Sequence, residues 1–319
     1  MPLVDMSPEK LKTYEGRSPR PGDFDAYWDQ TLRELDETDP APELIPAEFQ
    51  TPETECFHLY FTGLGGARIH AKYLRPKCAK TSRPAVLTFH GYSGDSGDWQ
   101  GKLAFVSAGF SVAALDVRGQ GGLSEDNLQT PGGTMYGHVI KGLDGGRDKL
   151  FYRGVFADTA QLARVVMSFD EVDETRVGAL GGSQGGALTV ACAALEPRIR
   201  RIAPAIPFLS DYKRVWEMDL AQGAYIGIKD YFRRFDPEHK REDEVFTTLG
   251  YIDIQNLAPR IKAEVLWGIG LMDTTCPPST QFAAYNKITA PKEMVIYPDY
   301  GHETHWNFHD KAFMFLAKL

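Results

Sequence analysis

The pentapeptide Gly181–Gly185, with Ser183 at its centre, constrains the fold of this chain more than any other feature of its sequence. It matches the G-x-S-x-G pattern, in which a strand turns sharply into a helix and holds the serine in strained backbone geometry with its hydroxyl exposed. Glycines are expected around the serine because side chains there would collide with the strand or the helix. The pattern is short and also occurs by chance, so the segments on either side of it must show whether it marks such a turn.

That setting is a strand, a turn and a helix. Residues 176–180 are a short apolar run typical of a buried strand, and residues 186–195 are small apolar residues typical of a buried helix. The alternative is a glycine-rich turn with an incidental serine, and the flanking segments disfavour it.

The rest of the chain alternates between strand and helix patterns and predicts an α/β fold. Such alternation indicates a mainly parallel sheet with helices on both faces. An antiparallel hairpin, 58–61 with 69–74 around Gly63–Gly66, is expected at its N-terminal edge. The other predicted strands are 85–89, 111–116, 176–180, 202–206, 263–268 and 293–297, and an amphipathic helix is predicted at 156–166.

We expect one domain over residues 1–319, with two segments outside the alternation. Residues 1–55 form a polar arm whose helix at 23–35 carries aromatic side chains on one face and is expected to dock on the main domain. Residues 208–256 form a helical insertion rich in aromatic residues. Open α/β sheets bind ligands at the carboxyl ends of their strands, so we interpret the insertion as a cap or pocket wall. A helical hairpin that only packs on the core is the alternative.

Composition narrows the classes of partner. The net charge of −8 argues against nucleic acid and anionic membrane surfaces. No run of roughly 18 apolar residues predicts a membrane span, and the first residues lack the pattern of a secretory signal. The four cysteines (Cys56, Cys78, Cys192 and Cys276) have no paired or metal-like spacing, so we expect a cytoplasmic protein in a reducing compartment.

A serine nucleophile needs a base, and in this fold the acid and then the base follow it along the chain. Asp273 and His302 follow strand patterns in that order, so we assign Ser183, Asp273 and His302 as a catalytic triad. Asp299, His305 and His309 are nearby alternatives. The pair His302 and His305 lacks the spacing of a zinc protease motif, and no metal site is predicted.

An oxyanion hole should accompany the triad. The backbone N–H of Gln184, directly after the nucleophile, is one expected donor. The loop His90–Gly94 after an early core strand places Tyr92 as the second donor, with an ordinary strand-to-helix turn as the alternative.

Three motifs together resemble a known family. Arg118-Gly119-Gln120, the elbow around Ser183-Gln184 and His302-Glu303 match, in order, the Arg-Gly-Gln, Gly-x-Ser-Gln-Gly and His-Glu motifs of the acetyl xylan esterase and cephalosporin C deacetylase family, carbohydrate esterase family seven. The resemblance spans nearly the whole chain. It implies an α/β-hydrolase fold without metal or cofactor, and an intracellular homo-hexamer built as a trimer of dimers. The N-terminal arm and the insertion are plausible contact surfaces for such a ring.

The resemblance also implies removal of acetyl groups from acetylated xylo-oligosaccharides and cephalosporin C. Arg118, Gly119, Gln120 and Glu303 would be structural. Tyr92, Pro207 and Phe208 would line the acetyl pocket, and the aromatic residue there is a phenylalanine without a phenolic hydroxyl.

Three other functions remain open from the sequence. A general short-chain carboxylesterase is the nearest alternative, and a peptidase of the prolyl-oligopeptidase type would share the fold without the propeller repeats that usually accompany it. A catalytically dead α/β-hydrolase that acts as a binding module should have lost the serine, the histidine or the oxyanion glycine, and this chain has all three.

Overall fold

A nine-stranded mixed sheet organises the computed structural model, which describes residues 4–77, 81–130 and 137–319. Cys78 lies outside these ranges. The strands stand in the order β1-β2-β3-β5-β4-β6-β7-β8-β9. They are β1 Glu43–Pro46, β2 Thr54–Thr62, β3 Arg68–Pro76, β4 Arg83–Phe89, β5 Ser111–Leu115, β6 Val172–Gly182, β7 Arg201–Ala205, β8 Glu264–Gly270 and β9 Lys292–Tyr297.

Strands β1, β2 and β3 are antiparallel to their neighbours, and β4 to β9 are parallel to one another. This confirms the predicted parallel sheet with an antiparallel N-terminal edge. The edge strand β1 was not predicted, because it is only four residues long and lies among prolines. Its last residue, Pro46, suits an edge, where a missing N–H interrupts no central ladder.

Helices cover both faces of the sheet because successive residues of a strand point to opposite sides. The α-helices are α1 Pro8–Leu11, α2 Phe24–Asp36, α3 Leu103–Ser107, α4 Phe151–Met167, α5 Gln184–Leu195, α6 Tyr212–Glu217, α7 Ile226–Phe235, α8 Glu242–Leu249, α9 Ile254–Leu257, α10 Pro278–Lys287 and α11 Phe308–Leu316. In β4, Val86 packs in a cluster with Phe308 of α11, whereas its neighbour Leu87 belongs to the larger cluster that contains α4 and α5. None of the helices in the described ranges is both long enough and apolar enough to cross a membrane.

Helix α4 contains the predicted helix 156–166 and is buried more completely than its amphipathic pattern indicated. All of its residues except Arg153 and Arg164 are buried, including the polar side chains of Asp158 and Gln161. The physical reason is its position: α5 packs on one side of α4 and α2 on another, so little of its surface meets water. A polar residue in such a helix needs a partner inside the protein.

The N-terminal arm docks on the main domain, as its aromatic pattern indicated. Trp28 of α2 is fully buried, stacks on Phe156 at 6.0 Å between ring centroids, and donates its indole N–H to the Tyr251 carbonyl at 2.9 Å. The Asp211 carboxylate accepts hydrogen bonds from the Tyr14 hydroxyl and from two backbone N–H groups of the arm. The arm therefore buries its apolar side within its own chain, against α4 and the insertion, and that side is not free to contact another copy.

The parallel strands bring the predicted site residues to one edge. Ser183 follows β6, Asp273 follows β8, His302 follows β9, and Tyr92 follows β4. Because the carboxyl ends of parallel strands meet at one edge of the sheet, residues far apart in the chain converge there.

Candidate active site

Ser183 stands between β6 and α5 with backbone angles φ 56° and ψ −120°, a region that non-glycine residues rarely adopt. The turn is possible because two flanking glycines have no side chain. A Cβ on Gly181 would lie 2.5 Å from the backbone of Gly185, and one on Gly185 would lie 2.0 Å from the Phe89 carbonyl oxygen. Gly182 differs from the expectation, because a Cβ there would meet no atom of the described part of the chain within 4 Å, apart from its chain neighbours.

The three residues assigned to the triad form a continuous chain of hydrogen bonds. His302 Nε2 lies 2.9 Å from Ser183 Oγ, and His302 Nδ1 lies 2.9 Å from Asp273 Oδ2. The histidine is partly exposed, whereas the aspartate is completely buried. This geometry allows the serine to pass its proton to Nε2 while the carboxylate stabilises the resulting imidazolium.

Asp273 is oriented by its own loop. Its Oδ1 accepts hydrogen bonds from the backbone N–H groups of Thr275 at 2.9 Å and Cys276 at 2.8 Å, which leaves Oδ2 for the histidine. The alternative carboxylate, Asp299, is exposed in the turn after β9. The structure thus brings Asp273, and not Asp299, to the ring of His302.

Two members of the triad and a neighbouring cysteine form a group of the kind that can hold a metal ion. The thiol of Cys276 lies with the ligand atoms of Asp273 and His302 inside a group in which all separations are within 4.8 Å. Burial, followed by the Asp273 carboxylate, raises the pKa of Cys276 well above its usual value, so the thiol stays protonated. The carboxylate and the imidazole are already engaged with each other, and we assign all three to the serine site.

The loop after β4 carries Tyr92, and hydrogen bonds hold it in place. Gly94 N–H donates to the Gly91 carbonyl at 3.1 Å, which closes a tight turn. His90 accepts the Val117 N–H at Nε2 and contacts the Gly91 carbonyl at Nδ1, so its proton resides on Nδ1. The phenolic oxygen of Tyr92 accepts the His138 N–H at 2.9 Å.

Gln120 and Gln184 connect this loop to the elbow. Gln120 Nε2 donates to Gln184 Oε1 at 2.8 Å, and Gln184 Nε2 donates to Gln120 Oε1 at 2.9 Å. Gln120 Oε1 also accepts the N–H of Ser93, the residue after Tyr92, and Gln184 Oε1 accepts the Tyr152 hydroxyl. The two segments that were predicted to carry the oxyanion donors are therefore tied together by one amide pair.

Arg118 makes a second tie nearby. Its guanidinium forms two hydrogen bonds of 2.7 Å with the buried Asp158 carboxylate of α4 and a third, of 3.1 Å, with the Leu64 carbonyl. Burial alone would lower the pKa of Arg118, but the Asp158 carboxylate outweighs it and raises that pKa. Gly119 has φ +62°, and a Cβ there would lie 2.8 Å from Asp126, so the motif requires glycine at this position.

A buried network beneath these loops was not found from the sequence. Asp116 Oδ2 lies 2.6 Å from His70 Nδ1, and His70 Nε2 lies 2.9 Å from His58 Nδ1. Asp116 also accepts the backbone N–H groups of Ser96 and Leu123. It thereby joins the loop after β4 to the loop that holds Gln120. The available signal was a carboxylate at the end of the predicted strand 111–116, together with His58 and His70 in the predicted N-terminal hairpin.

Pro207 and Phe208, which the family resemblance places at the acetyl pocket, are both buried. The N–H of Phe208 donates to the Ser183 carbonyl at 3.0 Å. Its ring lies between Tyr92, at 5.9 Å, and Tyr225 of the insertion, at 4.3 Å between centroids. Glu303 accepts the N–H of Gly301 at 3.0 Å and so shapes the turn that carries His302.

Fold and site together define an α/β-hydrolase with a serine, histidine and aspartate in hydrogen-bonding contact. The family model described as acetyl xylan esterase (AXE1) matches residues 1–319, and the chain belongs to that family. It is therefore a carboxylic ester hydrolase, and the family resemblance of the three sequence motifs is confirmed.

Individual relatives agree. The crystal structure of acetyl xylan esterase 1 from Thermoanaerobacterium sp. JW/SL YS485 is 56% identical, with a TM-score of 0.97 and 99% of both chains covered. Acetyl xylan esterase from Paenibacillus sp. R4 is 37% identical, with a TM-score of 0.93 over 98% of this chain and 99% of that one. Acetyl esterase Axe7A of Xylanibacter ruminicola is 30% identical over 94% of this chain and 67% of its own length.

Proposed function

We propose that this enzyme removes acetyl groups from small acetylated xylo-oligosaccharides through an acetyl-serine intermediate. The observation that carries the proposal is the unbroken chain from Asp273 through His302 to Ser183 at a strained elbow. The similar proteins with solved structures are named as acetyl xylan esterases, which supports this choice of substrate.

In the first half of the reaction, Ser183 Oγ attacks the acetyl carbonyl while His302 Nε2 takes the serine proton. The tetrahedral intermediate then collapses, the ester C–O bond breaks, and His302 returns the proton to the departing sugar oxygen. In the second half, water attacks the acetyl-serine with His302 as base, which releases acetate and restores Ser183.

The oxyanion would rest on the backbone N–H groups of Gln184 and Tyr92. Gln184 is the first residue of α5, and the first N–H groups of a helix have no partner within it. The positive end of the helix dipole favours negative charge at the same place. The pairing of Gln120 with Gln184 and Ser93 supports a fixed spacing between the two donors.

Phe208 and Tyr92 are the proposed walls of a small acyl pocket. Both rings are held by neighbours, Phe208 by Tyr225 and Tyr92 by His138, so neither is free to move aside for a longer chain. The insertion also lies close to this wall, with Gly137 between them. A Cβ added to Gly137 would lie 3.3 Å from the Tyr92 hydroxyl and 3.5 Å from the carbonyl oxygen of Ala224, a residue of the insertion. This supports its interpretation as a pocket wall.

We further propose deacetylation of cephalosporin C, a homo-hexameric assembly and a cytoplasmic location. The first two rest on the family resemblance. The location is supported by the free thiols of Cys56, Cys192 and Cys276, all of them buried and unpaired.

A substrate panel tests the function. Acetylated xylotriose, cephalosporin C and the acetate, butyrate and octanoate esters of p-nitrophenol would be compared by kcat/KM. We expect the acetylated substrates to have a higher kcat/KM than the butyrate and octanoate esters. Equal kcat/KM for the acetate and octanoate esters, with slow release of acetate from the sugar, would favour a general carboxylesterase instead.

A further inference from the structure

An open cavity of about 270 Å³ lies directly beside the segment that carries His302. A water molecule occupies about 30 Å³ in the liquid, so this space exceeds what one trapped water would need. Its lining comes from the turn after β9 and the start of α11: Tyr300, Thr304, His305, Trp306, Asn307, His309 and Asp310.

Trp306 gives the cavity an aromatic wall. Its relative exposure is 77%, the highest among the large apolar side chains that are exposed in the described ranges. A single exposed apolar residue is ordinary on a protein surface and needs no ligand to explain it. Here, however, the indole stands at a cavity whose other lining groups are mostly polar.

A second and independent observation concerns His305, which lines the same cavity. His305 is only 4% exposed, and neither of its ring nitrogens has a hydrogen-bond partner within the described ranges. The Tyr297 hydroxyl is also buried and has no partner among the described residues, and the Tyr297 ring lies 4.5 Å from that of His305. A buried polar group without a partner costs about 1–3 kcal/mol. A ligand or water that reaches these atoms would remove that cost.

These features match the surface of a neutral sugar ring. A pyranose presents a face of C–H groups that can lie on an indole, and a rim of hydroxyl groups that both donate and accept. Thr304, Asn307 and Asp310 offer donors and acceptors at the cavity wall, and His305 lies in the same lining with two buried ring nitrogens that have no partner within the described ranges.

We infer that this cavity is a sugar subsite, with Trp306 as its stacking platform and His305 as a buried polar group in its lining. It would hold a xylose ring next to the one whose acetyl group reaches Ser183. His305 follows His302 by only three residues, so a bound neighbouring ring would fix the substrate against the catalytic turn. The inference rests on the proposed function for its choice of sugar.

Two measurements test the subsite. Calorimetric titration with unacetylated xylotriose compares Ser183→Ala with Ser183→Ala/Trp306→Ala, so hydrolysis does not enter the result. Kinetics compare wild type, Trp306→Ala and Trp306→Phe on acetylated xylotriose and p-nitrophenyl acetate. An aromatic contact is worth about 0.5–1.5 kcal/mol, so loss of the indole should weaken binding about two- to tenfold. The phenylalanine variant should fall between.

The expected kinetic result is a higher KM for acetylated xylotriose. The ratio of kcat/KM on that sugar to kcat/KM on p-nitrophenyl acetate should fall about two- to tenfold in Trp306→Ala. Met314→Ala is the matched control, since Met314 is also exposed, at 63%, but lies on α11 outside the cavity lining. It should leave both rates unchanged.

Three outcomes would overturn the subsite. They are equal xylotriose affinity with and without the indole, an unchanged kinetic ratio, and a change of molecular mass in Trp306→Ala by light scattering, which would make Trp306 a contact between copies. Failure of the wild type to deacetylate any xylo-oligosaccharide would instead overturn the proposed function. The xylotriose titration would still decide the subsite by itself.

Discussion

Gln120 and Gln184 hold each other through two reciprocal amide hydrogen bonds of 2.8 and 2.9 Å. Gln184 supplies one proposed oxyanion donor from its own backbone, and Gln120 binds the N–H of Ser93 beside the other. The amide pair therefore sets the separation of two donors that come from opposite sides of the site. A side chain that touches no reacting atom can affect catalysis in this way.

We predict that Gln120→Ala lowers kcat with little change in KM, because misplaced donors weaken the transition state more than the bound ester. The loss should be about tenfold or more, smaller than the loss of an oxyanion donor itself. Steady-state kinetics on p-nitrophenyl acetate measure it. Gln30→Ala, on the exposed side of α2, is the control. A wild-type kcat in Gln120→Ala would show that the amide pair does not position the donors.

A second prediction separates the two carboxylates near His302. Asp273→Asn should lower kcat by about four orders of magnitude, because the amide favours the wrong tautomer of the imidazole. Asp299→Asn should have a small effect on kcat, because Asp299 is exposed and His302 Nδ1 is already hydrogen-bonded to Asp273. Rate measurements on both purified variants decide the assignment. The opposite ranking would transfer the orienting role to Asp299.

The acyl pocket gives a third prediction. If Phe208 and Tyr92 exclude long acyl chains, Phe208→Ala should raise the rate on butyrate esters relative to acetate esters. An added methylene is worth only about 1–3 kcal/mol in an apolar pocket, so a relative change of about tenfold is expected. Phe235→Ala serves as control because Phe235 is 60% exposed. An unchanged ratio of butyrate to acetate in Phe208→Ala would place the acyl group elsewhere.

A fourth prediction concerns stability in acid. Burial raises the pKa of Asp116, but the hydrogen bonds from His70, Leu123 and Ser96 outweigh it and leave that pKa well below its usual value. A carboxylate whose pKa is lowered by folding stabilises the fold above its unfolded pKa, near 3.9, and loses that contribution as the pH falls. Asp116→Asn should therefore lower the free energy of unfolding by about 1–3 kcal/mol at pH 7. This difference from wild type should shrink as the pH falls below 4.

Urea unfolding of wild type and Asp116→Asn between pH 7 and pH 2 measures this difference. Asp170→Asn, at an exposed carboxylate, is the control and should show no such trend. A free-energy difference that stays constant as the pH falls would mean that the charge of Asp116 is not what stabilises the loops.

The sequence was sufficient for those parts of the site that depend on strand ends. Ser183, Asp273 and His302 each follow an apolar run, and parallel strands bring such positions together whatever the intervening chain does. The same reasoning could not find β1, because four residues among prolines carry too little periodic signal. It found the helix α4 but not how deeply its polar side chains are buried, because that depends on the elements packed around it.

Long-range polar contacts were beyond sequence reasoning for a different reason. Asp116 and His70 are 46 residues apart, and Gln120 and Gln184 are 64 apart, so no local pattern relates them. The resemblance indicated that Gln120 would be structural, but not which atoms it would bind. The free space beside Gly182 could not be predicted either. Gly182 lines a cavity together with residues of α11, so that space depends on how α11 lies against the sheet.

The most direct test of the account is to trap the acetyl-enzyme. Wild type and Ser183→Ala would be mixed with p-nitrophenyl acetate, quenched in acid during turnover and digested, and the peptides would be weighed by mass spectrometry. We predict one acetyl group on the wild-type peptide that contains Ser183. In the variant we predict no acetylated peptide and a rate lower by about 10⁴-fold or more. An acetyl group on another residue, or a variant that keeps a tenth of the wild-type rate, would contradict it.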